Sequence, residues 1–417
     1  MTGALDGIRV FDLTLAVVGP WATKLLAQMG ADVVKVGAPD GELLDFVPPY
    51  MGGAQSSAFL DTNLNKRLVA LDLKVEADRE AAWALLERAD VFVENMRPGA
   101  ADRLGFSYEA ASARNPRLVY ASACAYGRVG PMATQAGVDP LVQAFSGYAS
   151  LNGPEGGPGE MNRFLANIDI TTASMLVEAV LQALIARERT GRGQKIELTM
   201  LGASLAVQAT RLADYLATGE TTPPRGSASA TTAPHEAFRC ADEVWLAVGV
   251  EREAQWDGLC RALGPVGARL AADDRYATNA SRLAHRQPLA EAVAAEVRRE
   301  PAAAWEVLLG REGVPCGRIR RFDELRHHAQ ATANGWFCEL DTPWGHLCAE
   351  GPPWRFSGTP TRPVRLAGAN GAHNAEVLAE LALHDHPAAA FAPRAGRPRR
   401  WARTSERPAA GQPPEEP

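Results

Sequence analysis

The chain has 417 residues, of which 46% are hydrophobic and 22% charged, and its formal net charge is −6. At about 150 residues per domain this length predicts two or three domains, each able to bury a core. The hydrophobic fraction excludes wholesale disorder, and the mildly acidic balance offers no electrostatic footprint for nucleic acid or an anionic membrane surface.

Three features bear on where the protein acts. The richest apolar stretch, Ala173 to Ala186, is interrupted by Glu178 and Gln182, so we expect no membrane span. The N-terminus reaches Asp6 and Arg9 without an apolar segment, so we expect no signal peptide. The six cysteines are far apart and form no C-x-x-C pair, which is typical of reduced thiols. We therefore predict a soluble, cytoplasmic protein.

The first 200 residues alternate short β-branched runs with helical patterns. Strands are predicted at 8–13, 33–36, 68–73, 91–94 and 118–122, with helices at 21–29 and 76–88. Such alternation is typical of βαβ units and predicts an α/β fold with a mostly parallel sheet. Open sheets of this kind bind ligands beyond the carboxyl ends of their strands.

A Gly- and Pro-rich segment at 152–160 is predicted to be a loop. The run from Ile170 to Arg189 is apolar on nearly every face, which predicts a buried helix rather than a surface helix. The string Thr190-Gly191-Arg192-Gly193 ends this helix, because glycine suits a left-handed cap. The next strand is predicted at 195–200.

The composition changes after residue 217, and this change predicts the domain organisation. Residues 1–217 form the first part of a large α/β domain, and 218–233 form a linker rich in Thr, Pro, Gly, Ser and Ala. Residues 234–320, with a hairpin at 238–250 and two polar helices, form a smaller α+β domain. Residues 321–386 return to the large domain, and the Pro- and Arg-rich segment 387–417 is predicted to be a disordered tail.

Several kinds of site are not indicated by the sequence. The adjacent His327 and His328 would point about 100° apart on a helix, so we predict no catalytic metal. There is no phosphate-binding glycine loop, no dinucleotide fingerprint and no G-x-S-x-G nucleophile elbow. Cys124 lies at the apolar end of a strand, where packing is the simplest role.

Asp169 is the one suggestive carboxylate, since it stands between the glycine-rich loop and the start of the long helix. A helix N-terminus favours an ionised carboxylate, and the loop can supply backbone donors to an oxyanion. Aspartate is also a preferred N-cap residue at this place. Position alone leaves both interpretations open and favours the cap.

Short motifs along residues 5 to 360 resemble, in order, those of the family III CoA-transferases (the CaiB/BaiF group), which include formyl-CoA:oxalate CoA-transferase. The strings shared with the family are Leu5-Asp6-Gly7-Ile8-Arg9-Val10, Gly30-Ala31-Asp32-Val33-Val34-Lys35-Val36, Asn65-Lys66-Arg67, Ala89-Asp90-Val91-Phe92-Val93-Glu94-Asn95, Arg103-Leu104-Gly105-Phe106, Glu188-Arg189-Thr190-Gly191-Arg192-Gly193-Gln194 and Gly313-Val314-Pro315-Cys316-Gly317.

The resemblance implies a reaction and its residues. Asp169 occupies the place of the family's nucleophile, which forms a mixed anhydride with the acyl group of a CoA thioester and then an aspartyl-CoA thioester. Lys74, Asn95, Met96 and Arg103 fall where family members bind the nucleotide part of CoA. The implied partners are an acyl-CoA and a carboxylic acid, with CoA as a substrate and no permanently bound cofactor. The implied fold has a Rossmann-like large domain and a smaller middle domain, in an interlocked homodimer.

The sequence also departs from the family pattern. Gly37-Ala38 replaces an expected Glu and its neighbour, and Leu15-Ala16-Val17 replaces polar residues of oxalate-type members, which favours a more apolar acyl group. Racemases of the same fold use a histidine in a Gly-His-Asp string, whereas this chain has Gly137-Val138-Asp139. Valine cannot act as a general base, so a racemase is the weaker alternative. A non-catalytic CoA-binding subunit is the third hypothesis.

Overall fold

The structure, a computed structural model, describes residues 3–163 and 165–393. The chain divides into two compact units. The first comprises the residues up to Ser146, Asn162–Ala213 and the residues from Thr332 onward, and the second comprises Gly147–Met161 and Asp214–Ala331. This division differs from the predicted one at three places. Residues 147–161 belong to the second unit, where Glu155 forms an ion pair with Arg286. Residues 214–217 and 321–331, which were predicted in the large domain, also belong to the second unit.

The strands of the described residues are β1 (Arg9–Leu13), β2 (Asp32–Gly37), β3 (Tyr50–Met51), β4 (Gln55–Ser56), β5 (Arg67–Ala70), β6 (Val91–Glu94), β7 (Val119–Cys124), β8 (Lys195–Thr199), β9 (His235–Arg239), β10 (Trp245–Gly249), β11 (Cys316–Arg318), β12 (Phe337–Thr342) and β13 (Gly345–Glu350).

The α-helices are α1 (Val18–Gln28), α2 (Ser57–Thr62), α3 (Glu76–Glu87), α4 (Ala100–Arg103), α5 (Tyr108–Arg114), α6 (Asp139–Phe145), α7 (Asn167–Thr190), α8 (Met200–Val207), α9 (Ala209–Thr218), α10 (Glu253–Ala262), α11 (Gly264–Ala271), α12 (Asn279–Ala284), α13 (Arg286–Val297), α14 (Ala302–Arg311), α15 (Phe322–Arg326), α16 (Ala329–Asn334) and α17 (Asn374–Glu380).

The first unit is built on a six-stranded sheet with the order β5-β2-β1-β6-β7-β8, in which every neighbouring pair is parallel. This confirms the predicted α/β fold with a Rossmann-like large unit. The residues of β1, β2, β5, β6 and β7 are mostly buried, as is typical of parallel strands covered on both faces, whereas those of the edge strand β8 are partly exposed. On one face Phe11 and Phe92 pack against Phe106, with ring centroids 5.1 to 6.4 Å apart, and α3, α5 and α17 cover this aromatic core.

The second unit contains the three-stranded antiparallel sheet β11-β10-β9. β9 and β10 pair antiparallel, which confirms the hairpin predicted at 238–250. The core of this unit brings side chains of these strands together with those of the helices that follow, such as Trp256, Leu289 and Trp305. The predicted linker contains no helix or strand between residues 219 and 233.

Residues 188–194 form the tight connection between α7 and β8. Gly191 adopts a left-handed conformation (φ 70°) and ends α7, and its N–H donates to the carbonyl of Arg187. Gly193 lies against the start of β7, where an added Cβ would be 1.9 Å from the carbonyl oxygen of Leu118. The two glycines therefore allow the chain to leave a long helix and enter β8 at once.

Two sequence predictions are wrong in part. The helix α7 is not buried on all faces, because Glu178, Gln182 and Ile185 are exposed, the last by 63%. It is long and apolar enough to cross a membrane by length and composition alone, a test that core helices also pass, and it packs against α1, α8, β7 and β8. The predicted disordered tail begins too early, since Pro387–Ala390 forms a 3-10 helix and Ala388 and Ala389 pack on the aromatic core. Residues 394–417 lie outside the described residues.

Candidate active site at the switch point of the sheet

The order of the sheet changes direction between β1 and β6. The chain adds β2 and β5 on one side of β1, and β7 and β8 on the far side of β6. The segments that leave β1 and β6 therefore diverge and open a crevice at the carboxyl edge of the sheet. A cavity of about 240 Å³ lies here, lined by Leu15, Ala16, Val17, Val18, Asn95, Met96, Arg97, Pro98, Ala123, Cys124, Ala125, Gln135, Ala136, Gly137, Val138, Asp169 and Met200.

Asp169 lines this cavity from the first turn of α7. It is not the N-cap residue that local position favoured, because the helix begins at Asn167 and Ala166 precedes it. The capping oxygen comes from Asp139, the first residue of α6, whose Oδ2 accepts hydrogen bonds from the N–H groups of Ile168 (2.8 Å) and Asp169 (2.9 Å). The Asp169 carboxylate is therefore not needed to cap the helix.

The electrostatic environment of Asp169 disfavours its charged form. Burial raises the pKa of this carboxyl group, and the carboxylate of Asp139 raises it further, to about 7. Within the described residues neither a cation nor a hydrogen-bond donor is paired with the Asp169 carboxylate. A desolvated carboxylate of raised basicity is suited to act as a nucleophile or to exchange a proton near neutral pH.

Asp139 itself is buried and well supported. Its Oδ1 accepts a hydrogen bond from Nε2 of Gln143, one turn along α6. Gln143 Oε1 in turn accepts from the N–H of Asn162 at 2.9 Å. Sequence reasoning treated Asp139 only as part of the Gly137-Val138-Asp139 string and did not predict this role. Asp139 lies 28 residues before the start of α7, so no local pattern indicates that its carboxylate caps that helix.

Val138 forms part of the cavity wall and is 54% exposed. The preceding Gly137 allows the segment to approach β7 closely, because an added Cβ would be 2.4 Å from the Cβ of Ala125. The side chain that the racemases use as a base is thus replaced by an apolar one in the cavity that contains Asp169. Position 138 therefore offers no side chain that could act as a general base.

Two of the four predicted CoA contacts come together with Asp169. Asn95 and Met96 line the cavity from the segment after β6. Lys74 and Arg103 are exposed and lie outside the lining residues, so their contact with the nucleotide stays a prediction. At Gly37, where the sequence departs from the family pattern, the side chain of Asn370 occupies the space beside the glycine. Its Oδ1 would be 2.8 Å from a Cβ added at Gly37, and its Nδ2 donates to the carbonyl of Ala38.

The structure adds Arg97 and Gln135 to the predicted site. Arg97 is exposed, and no carboxylate of the described residues forms an ion pair with it. Arg97 lies two residues beyond Asn95, in the segment that follows β6. The strand order, had it been known, would have indicated that this segment borders the site. Cys124 also lines the cavity, and burial raises the pKa of its thiol, so it stays protonated at neutral pH. Among residues 3–163 and 165–393 no group of three His, Cys, Asp or Glu side chains could hold a metal ion.

Comparison with known proteins gives a consistent result. The profile of CoA-transferase family III matches residues 5–374. A succinate–glutarate CoA-transferase of Agrobacterium fabrum is 35% identical over 390 residues, covering 90% of this chain and 95% of that protein. A formyl-CoA:oxalate CoA-transferase of Streptomyces avermitilis is 35% identical over 407 residues, covering 92% and 97%.

The fold agrees with these relatives. A crystal structure of a CaiB/BaiF family protein from Brucella suis superimposes with a TM-score of 0.84 at 31% identity, covering 91% of this chain and all of the other. With a family profile that spans most of the chain and relatives matched over nearly their whole length, the chain belongs to CoA-transferase family III.

Proposed function

We propose that this family member transfers CoA from an acyl-CoA to a free carboxylic acid through covalent intermediates on Asp169. The observation that supports the proposal is a half-buried carboxylate, with a pKa of about 7 and no partner among the described residues, in a cavity at the switch point of the sheet. A non-catalytic binding subunit has no need of such a group, because a desolvated carboxylate without a partner lowers the stability of the fold, and groups of this kind cluster at sites of chemistry.

The reaction has four steps. An Asp169 oxygen attacks the thioester carbonyl, the C–S bond breaks, and CoA leaves as thiolate, which gives a mixed anhydride. The thiolate then attacks the Asp169 carbonyl carbon, and the donor acid leaves as its carboxylate. The acceptor carboxylate attacks the resulting aspartyl-CoA thioester and releases the thiolate. Finally, the thiolate attacks the new acyl carbonyl, which forms the product thioester and restores Asp169. Each intermediate stays activated, so the site must exclude water.

The cavity also suggests the class of acid. Its wall from Leu15 to Val18 is apolar, and Arg97 is the cation of the lining residues. Relatives named for succinate, glutarate and mesaconate act on dicarboxylic acids of four or five carbons. An acid of this size can lay its carbon chain on the apolar wall and pair its distal carboxylate with Arg97. The proposed substrates are therefore short dicarboxylic acids longer than oxalate.

Trapping with hydroxylamine tests the covalent step. The protein is mixed with acyl-CoAs and hydroxylamine, which converts an activated aspartate into a stable hydroxamate, and its peptides are analysed by mass spectrometry. We expect label on Asp169 and none on Asp45, a matched carboxyl group whose pKa burial also raises, to about 6, outside the cavity lining. Equal labelling of both groups, or none despite measurable CoA binding, would contradict the covalent mechanism. An Asp169→Ala variant that leaves a partner protein's transferase activity intact would indicate a non-catalytic subunit.

The role of Arg97 is tested with a pair of matched donors. Succinyl-CoA and butyryl-CoA have the same chain length and differ in the distal carboxylate. Loss of a charged hydrogen bond is worth about 1.5–3 kcal/mol, so Arg97→Met should lower kcat/KM for succinyl-CoA roughly 10–100-fold. The value for butyryl-CoA should change little, and Arg97→Lys should retain part of the difference. An equal loss with both donors would place Arg97 on the CoA moiety instead.

The oligomeric state and location complete the proposal. We expect a homodimer with interlocked subunits, as the family resemblance implies, and a cytoplasmic location. Light scattering after size-exclusion chromatography would show a mass near twice 44.5 kDa. Cell fractionation would test the location.

A further inference from the structure

The β1–α1 loop, residues 14–17, forms one wall of the cavity that contains Asp169. Its backbone is held at every residue from 14 to 16 by side chains of other elements. The N–H of Thr14 donates to Oδ1 of Asp12 (3.0 Å), and the carbonyl of Thr14 accepts from Nζ of Lys35 (2.8 Å). Side chains, rather than regular secondary structure, therefore set the shape of this wall.

Asn95, the first residue after β6, holds the next residue of the loop, Leu15. The N–H of Leu15 donates to Oδ1 of Asn95 at 2.8 Å, and Nδ2 of Asn95 donates to the carbonyl of Leu15, also at 2.8 Å. The amide thus pairs with Leu15 through both of its ends, as a neighbouring strand would. The Asn95 oxygen and one of its two N–H donors are already engaged within the protein.

Ala16 explains why the loop needs such support. Its φ of 60° is left-handed, a conformation that residues with a Cβ disfavour. Its N–H donates to Oε2 of Glu42 at 3.0 Å, while Oε1 of Glu42 forms a buried ion pair with Lys35 at 2.8 Å. Asn95 on one side and the Glu42–Lys35 pair on the other therefore hold a loop that would otherwise relax.

We infer that the Asn95 side chain is a positioning group, which fixes Leu15 and the β1–α1 loop in the wall of the cavity that contains Asp169. A fixed wall keeps the thioester carbonyl within reach of the attacking carboxylate, and small displacements of such a wall slow acyl transfer. The inference rests on the reaction proposed for Asp169, although the structural role of Asn95 is measurable without any substrate.

The test compares Asn95→Leu, which removes both hydrogen bonds, with Asn95→Asp, which keeps the acceptor for the Leu15 N–H. Hydrogen exchange of the peptide containing Leu15 and Ala16 should accelerate at least tenfold in Asn95→Leu and less in Asn95→Asp. The first-order rate of acyl transfer to Asp169 at saturating acyl-CoA should fall roughly 10–100-fold in Asn95→Leu, with partial recovery in Asn95→Asp. The Kd of free CoA should stay within about twofold.

A double-mutant cycle with Glu42→Gln adds a second readout. Both side chains act on one loop, so their effects on the transfer rate should be non-additive. A nucleotide contact would instead raise the Kd of CoA tenfold or more, leave the exchange of Leu15 unchanged and add independently to Glu42→Gln, and that result would overturn the inference. If Asn95→Leu does not fold, Asn95→Asp is the variant tested against the same criteria.

Failure of the proposed function would look different. If Asp169→Asn retains transferase activity, the chemistry assigned to Asp169 is wrong, whatever Asn95 does. Exchange at Leu15 and the Kd of CoA do not depend on that chemistry, so they still decide the position of Asn95.

Discussion

Asp139→Asn should change the pH at which Asp169 becomes reactive. The substitution removes a negative charge but keeps an oxygen that can accept from the N–H groups of Ile168 and Asp169. With a pKa of about 7, Asp169 is ionised to only about 1% at pH 5 and about 90% at pH 8. The rate of anhydride formation in the wild type should therefore rise roughly 90-fold between these pH values.

The size of the change follows from the causes of the raised pKa. Burial is the larger cause and Asp139 the smaller, so the charge of Asp139 accounts for at most about half of the rise. We expect the midpoint in Asp139→Asn to fall below 7 but not below about 5.5, which gives up to roughly 15-fold more ionised Asp169 at pH 5.5. The rate at high pH should fall slightly, because a less basic carboxylate is a weaker nucleophile.

Rapid mixing with excess acyl-CoA, an acid quench and the mass of the intact protein give the rate of this step at each pH. Asp139→Ala is the matched control, since it removes the charge and the capping oxygen together. Both variants should shift the midpoint, and Asp139→Ala should lower the free energy of unfolding by about 1 kcal/mol more than Asp139→Asn, which keeps the capping oxygen but turns an NH2 group toward Nε2 of Gln143. A wild-type profile that is flat from pH 5 to 8, or an unchanged midpoint in Asp139→Asn, would refute the reasoning.

Three other predictions concern stability and are measured by equilibrium denaturation. The folded state binds a proton at Asp169 more tightly than the unfolded state, so the stability of the wild type falls as pH rises from about 4 to about 7. Asp169→Asn should therefore be more stable than the wild type by up to about 4 kcal/mol at pH 8, whereas below pH 4 the difference should be small. Because of the left-handed φ at Ala16, Ala16→Gly should be more stable than Ala16→Val by roughly 2 kcal/mol. Gly193→Ala should lower stability by about 2 kcal/mol or more, because its Cβ would meet the Leu118 carbonyl, whereas Gly191→Ala, with open space around it, should lower it by about 1 kcal/mol. An equal loss in the two glycine variants, or an Asp169→Asn gain that does not depend on pH, would contradict these expectations.

The local pattern of the sequence predicted the class of the fold and the six strands of the large sheet. β6 lies at the predicted residues 91–94, and β1, β2, α3 and α7 lie within three residues of their predicted ends. This works because buried parallel strands and packed helices each impose a hydrophobic period that is visible in a few consecutive residues. The glycine string at 188–194 was recognisable for a similar reason, since its backbone conformations are local.

The sequence by itself did not determine what surrounds each element. The run of α7, apolar on nearly every face, predicted a buried helix, yet Ile185 is exposed, because composition does not say which neighbours cover a helix. Pro387–Ala390 was predicted to be disordered, yet it packs on the aromatic core next to α17, whose Asn374 Nδ2 donates to the carbonyl of Ala388.

The site shows the same division between sequence and structure. The family motif selected Asp169, but the raised pKa of this group depends on Asp139, 30 residues away, and the shape of the facing wall depends on Asn95, 80 residues from Leu15. Asn95 meets Leu15 because β1 and β6 are neighbours at the switch point, and Asp139 meets Asp169 because α6 packs against α7. Both contacts are set by long-range pairing and packing. The sequence determined which groups were available for chemistry. The tertiary structure decided which of these groups are in contact and which are desolvated, and contact and desolvation set their reactivity.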